Sequence, residues 1–132
     1  MSTRVTAILQ TVNWDEGPFS EIEGGPKLTR ALMTGTYSGA IEGMTTVTFI
    51  MIYPDEATAS FSGLERVEGK LAGRSGSFVL RHEGSFANGE VRTMLTIVPG
   101  SGTGELTGLR GEGNSGAPAG SKAELTLDYD FA

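Results

Sequence analysis

Along most of the chain apolar and polar residues alternate, a two-residue period that belongs to strands whose two sides meet different surroundings. Turn-forming residues divide this pattern into eight predicted strands, at 3–14, 27–38, 44–53, 58–67, 75–86, 90–98, 103–110 and 122–131. Apolar residues do not recur at helical spacing, and Gly or Pro interrupts nearly every helix-length window, so little or no helix is expected. The connections are short and carry turn chemistry; Asn88-Gly89 gives the clearest hairpin signal. Two stretches are longer. Residues 15–26, DEGPFSEIEGGP, are acidic and read as a lid across one end of the sheet, and residues 111–121, GEGNSGAPAGS, read as a mobile small-residue loop.

Eight strands joined by consecutive hairpins must hide their edges, and closure into an antiparallel barrel removes them. The predicted fold is therefore all-β, a closed eight-stranded lipocalin-like barrel in a single domain, residues 1–132. Facing follows from alternation. In 75–86, Phe78, Leu80 and His82 share the inward face. In 44–53, Val47, Phe49, Met51 and Tyr53 face one way and Ile50 and Ile52 the other, so both faces are apolar. Such a strand is covered on both sides, which predicts a homo-oligomer.

Composition narrows the function. The net charge of −6 repels phosphate backbones and anionic membrane surfaces, so neither nucleic acid nor membrane is an expected partner. With no Cys and one His, disulfides, thiolate chemistry and most zinc sites fall away, and neither metal nor cofactor is expected. No apolar run suits a signal peptide or a membrane span, and a cytoplasmic protein is expected. Glycine, 20 of 132 residues, marks turns, bulges and barrel corners. Four methionines, Met33, Met44, Met51 and Met94, fall within predicted strands, where they either fill core gaps or line an adaptable apolar lumen.

The runs FSGLERVEGKLAGRSGSFVLRHEGSF (61–86), IVPGSGTGELTGLRGEG (97–113) and LDYDF (127–131), together with EIEGGPKLTRA (21–31), resemble the bacterial domain-of-unknown-function family 3224. The resemblance implies an allene oxide cyclase-like barrel and no established reaction. It also implies polar or larger groups where this chain has Ile8, Val12, Leu32, Thr48, Ile52 and Leu95. If those positions face the lumen the interior is more apolar and roomier; if they face outward they alter the assembly surface.

His82 titrates nearest neutrality and is the first candidate acid or base. Glu65 and Arg66 are adjacent on a strand, so one of them faces inward or lies at the rim. An inward Glu65 is a second proton-transfer candidate, against the alternative of a buried Arg/Glu network. Arg74 and Arg110 either clamp a carboxylate or pair with acids such as Glu105 and Glu112, and Tyr37, Tyr53 and Tyr129 offer phenols. Three functions stay open: an apolar lumen binding a small hydrophobic molecule, a cofactor-independent cyclase or isomerase using His82 or Glu65, or an oligomeric scaffold with a filled barrel. The predicted ligand wall is Met33, Phe49, Met51, Phe61, Phe78 and Leu95, with Arg66 as a polar contact.

Overall fold

A computed structural model describes residues 2–118 and 122–132. Eight strands close into an antiparallel barrel in chain order: β1 (Thr3–Ser20), β2 (Lys27–Gly39), β3 (Ile41–Tyr53), β4 (Ala59–Leu71), β5 (Arg74–Ala87), β6 (Glu90–Ile97), β7 (Leu109–Pro118) and β8 (Lys122–Phe131). The seam joins β1 to β8 over Thr3–Gln10 only. Past Gln10, β1 pairs with β2 alone, and the free side accepts Pro18, which has no N–H to give.

The acidic stretch expected to form a lid is instead the second half of β1. Thr11 pairs with Gly35 and Asn13 with Thr34, so Val12 is an extra residue and the strand bulges there. Before the bulge odd residues such as Ala7 and Leu9 face inward; after it the even residues Trp14 and Glu16 oppose the inward Met33 and Ala31.

The seventh strand also differs from the expectation. Residues 103–108 form a turn with a short 3-10 helix, Gly104–Leu106, whose Leu106 is buried at one end of the barrel, and only Leu109 and Arg110 of the predicted 103–110 are strand. The strand, Leu109–Pro118, takes in most of the predicted loop; residues 119–121 of that loop lie outside the described residues. Pairing with β6 and β8 supplies its hydrogen bonds. Its inward positions include Gly111, Gly113 and Ser115, which offer no apolar contrast for a periodicity argument to find.

The interior has two halves. At the end closed by Leu106, a core of Ile41, Leu71, Phe78, Leu80, Ile97 and Leu127 fills the lumen. A smaller cluster, Ala31, Met33, Val47, Phe49 and Met51, lines one wall of the other half. Met44 and Met94 are 69% and 73% exposed on the outside, so only Met33 and Met51 of the strand methionines reach the interior. Leu95 is buried, whereas Ile8, Val12, Leu32, Thr48 and Ile52 all face outward, away from the lumen. No helix among the described residues is long and apolar enough to cross a membrane.

Candidate functional site

The unfilled half of the barrel holds a cavity of about 410 Å³ that opens between the ends of the strands. Met33, Phe49, Met51, Phe61 and His82 line it, as the alternation predicts. Phe78 and Leu95 do not; both lie in the packed half beneath. The inward member of the Glu65–Arg66 pair is Glu65, fully buried, while Arg66 is exposed on the outside and has no part in the cavity. A filled barrel is thus realised only at the closed end.

Two glycines make room for rings on the wall. A Cβ on Gly63, which lies between Phe49 and His82 in register, would sit 2.2 Å from the Thr48 carbonyl and 3.0 Å from the Phe49 ring. On Gly84 it would come within 2.5 Å of Phe61. The Phe49 ring accordingly meets both His82 and Phe61 edge-on, each with centroids 5.3 Å apart, and Trp14 leans over it at 5.8 Å.

The cavity floor is polar and tied together by one carboxylate. His82 Nε2 lies 2.6 Å from Glu65 Oε1, and the hydroxyls of Tyr37 and Thr45 each lie 2.6 Å from Oε2. The Thr45 proton is shared between this contact and the Arg66 carbonyl at 3.0 Å. Toward a carboxylate, which accepts only, a neutral His82 would donate from Nε2. The Nδ1 atom is then a bare acceptor. No hydrogen bond to Nδ1 is formed among the described residues, and no fully buried side-chain nitrogen or oxygen there lacks a partner, so Nδ1 borders the cavity that His82 lines. Burial pushes the Tyr37 phenol well above its usual range, and the charge and hydrogen bond of Glu65 push it further, which keeps its proton in place as a donor.

A second carboxylate braces the mouth. Glu16, turned inward by the bulge, accepts from Trp14 Nε1 at 3.0 Å, from Thr29 Oγ1 at 2.7 Å and from the Tyr53 hydroxyl. Partial burial works against its charge, but these three donors outweigh it and hold the carboxyl below its ordinary value. Tyr53 is pushed up to about 12, first by desolvation and then by Glu16.

The remaining candidates lie elsewhere. Arg74 stacks over the Phe131 ring at 4.4 Å, and Arg110 pairs with Asp130 at 2.7 Å rather than with Glu105 or Glu112. Glu105 instead accepts the Ser75 N–H at 3.0 Å. Among the described residues no group of three or more acidic or histidine side chains is placed to hold a metal ion. Periodicity alone passed over Trp14, because the bulge reverses the face, and Thr93 and Ser115, because single hydroxyls in strands carry no signal.

The sequence profile of a family described as "Protein of unknown function (DUF3224)" matches residues 5–129. A crystal structure of a protein with unknown function from the DUF3224 family of Shewanella oneidensis MR-1 superposes with a TM-score of 0.80 at 29% identity, covering 100% of this chain and 99% of that one. No curated protein matches.

Proposed function

The chain belongs to the DUF3224 family of proteins of unknown function, and from its site we propose that the barrel is a receptacle for a small hydrophobic molecule. One observation carries the reading: the half of the lumen lined by Trp14, Met33, Phe49, Met51 and Phe61 is left as a 410 Å³ hollow, while the other half is packed. A volume of that size is in the range of pockets that enclose a drug-sized ligand. Rings and thioethers supply contact area without a fixed hydrogen-bond demand, and Met adapts its shape to what enters. Micromolar affinity is the ordinary expectation for such burial after the cost of association.

Trp14 is the one tryptophan and lies on the wall, so its fluorescence reports occupancy. Naphthalene titrated into the protein is expected to change that emission saturably. Ala59→Phe, which puts a ring into the mouth, is expected to remove the response while the protein stays folded. A linear, unsaturable response in the wild type would overturn the reading.

The Glu65–His82 pair favours a second reading, a cofactor-independent isomerase or cyclase. Nδ1 would take a proton from an acidic carbon of the bound molecule and return it at another, with no change in oxidation state. An apolar enclosure that folds a reactive substrate adds proximity, as in allene oxide cyclase-like barrels, where the analogy is one of fold. Solvent-deuterium exchange into a bound ketone should then need both His82 and Glu65, and His82→Gln should abolish it while leaving affinity nearly unchanged.

A further inference from the structure

The cavity wall is two-sided. Across β2, β3 and β4 it presents Met33, Phe49, Met51 and Phe61, and the two phenols there, Tyr37 and Tyr53, already donate to Glu65 and Glu16. Across β5, β6 and β7 it presents, below Phe86 and Val91, a polar strip of His82, Thr93 and Ser115. Thr93 pairs with Gly84 on one side and Ser115 on the other, so the two hydroxyls are direct cross-strand neighbours on the inward face. His82 lies one inward step deeper on β5, roughly 6–7 Å along the strand from Gly84.

The strip is unoccupied by protein partners. Thr93 and His82 are each 7% exposed, and both line the cavity together with Ser115. Neither hydroxyl, nor His82 Nδ1, hydrogen-bonds to any described residue. Since no fully buried polar side-chain atom there is left without a partner, these three atoms border the hollow itself. Polar groups as buried as Thr93 and His82 are costly in an apolar chamber unless something polar meets them.

Resting on the receptacle reading, we infer that the ligand is a flat aromatic or polyunsaturated molecule carrying a hydroxyl at its deep end and a carbonyl nearer the mouth. The hydroxyl donates to His82 Nδ1, whose lone pair is fixed outward by Glu65 on Nε2. The carbonyl accepts from Thr93 and Ser115. The apolar body lies against Phe49, Phe61 and Trp14, where aromatic rings meet it face or edge. A hydroxyaryl ketone has this pattern; a saturated hydrocarbon or a fatty acyl chain does not.

Four probes separate the parts: naphthalene, naphthol, an acetyl-naphthol bearing the two groups on opposite rings, and the methyl ether of that acetyl-naphthol. Dissociation constants follow from Trp14 fluorescence, checked by calorimetry. The acetyl-naphthol is expected to bind about tenfold more tightly than its methyl ether and about tenfold more tightly than naphthol, since each comparison withholds one partner from a buried polar group. In Thr93→Val/Ser115→Ala its affinity should fall about tenfold while naphthalene binds as before. Equal constants for the acetyl-naphthol and its ether, or a double variant that weakens naphthalene equally, would overturn the polar strip as a recognition element. Saturable naphthalene binding without discrimination leaves the receptacle standing and removes this inference; no saturable binding of any probe removes the receptacle as well.

Discussion

Taking one donor from a buried carboxylate and taking the carboxylate itself away have different costs, and Glu65 allows both to be measured. Tyr37→Phe removes one of its donors and is expected to cost about 1–2 kcal/mol in urea unfolding. Glu65→Leu strands Tyr37 and His82 without an acceptor, leaves Thr45 only the Arg66 carbonyl, and should cost roughly 3–5 kcal/mol. Glu65→Gln is the informative case. The Gln oxygen can still take the two hydroxyls while its NH₂ donates to Nε2, which forces the other His82 tautomer and turns Nδ1 into a donor. Its stability cost should therefore be smaller than that of the Leu variant, and the preference for a hydroxyl at the deep end should disappear in ligand titration. Equal destabilisation by Gln and Leu would mean that the imidazole does not switch. At the mouth, Glu16 has a depressed folded value, so its stabilisation is complete above the carboxyl's ordinary value and is lost as pH falls through the lower folded one. The stability gap between wild type and Glu16→Gln should accordingly be present at neutral pH and close in acid. Tyr53 acts at the other extreme: its phenol, raised to about 12, holds a proton the unfolded chain releases near 10, so stability declines as pH rises across that interval.

Between strands, the turns show where local chemistry agrees with the fold and where it is overridden. Asn88 and Gly89 both have positive φ, 55° and 77°, as a two-residue hairpin demands. The β4–β5 turn makes the same demand of Ala72, at φ 49°, followed by Gly73 at 86°. Alanine in that region carries a steric penalty that glycine lacks, so Ala72→Gly should raise stability by about 1 kcal/mol, read as a higher melting temperature. The same contrast explains what the sequence discloses. Alternation in β3 and β5 places Val47, Phe49, Met51, Phe78, Leu80 and His82 correctly, because both strands are long and regular with an apolar inward face. It fails in β1, where a single extra residue at Val12 exchanges the faces, and in β7, where Gly111 and Gly113 stand inward because neighbouring backbone leaves no space and Ser115 carries no apolar signal. A Cβ on Gly113, for example, would lie 2.1 Å from the Thr126 carbonyl. The Glu65 hub shows the same division: the position of a lone acid on an inward face is readable, but its convergence with Tyr37, Thr45 and His82 from three other strands depends on register, which is set by pairing across the whole barrel.

For the molecule as a whole, closure disposes of strand edges but leaves apolar side chains exposed on the outer face of β2–β4. Leu32, Thr48 and Leu64 lie in one register row across three strands, with Ile50 and Ile52 beyond Thr48 on β3. Leu32 and Ile50 are each 44% exposed and Leu64 52%. An exposed apolar area commonly marks an association surface, and a patch meeting its own copy about a two-fold axis needs no second protein to be complementary. The protein is therefore expected to form a dimer through this face, with the mouths of both barrels left free. Each copy carries a charge of −6, so bringing two together is opposed by repulsion that salt screens, and association should strengthen with ionic strength, opposite to a contact built on ion pairs. Leu32→Glu/Leu64→Glu puts charges that must be desolvated into the apolar contact of a chain already anionic overall, and should weaken dimerisation by about a hundredfold or more in sedimentation equilibrium. Probe binding should persist in that variant, because its substitutions lie on the opposite side of the sheet from Met33, Phe49 and Phe61. A wild type that stays monomeric at all accessible concentrations and salt levels would show that the outer face of β3 is simply tolerated in water, and the apolar character of that strand would then have to be explained by its inner side alone.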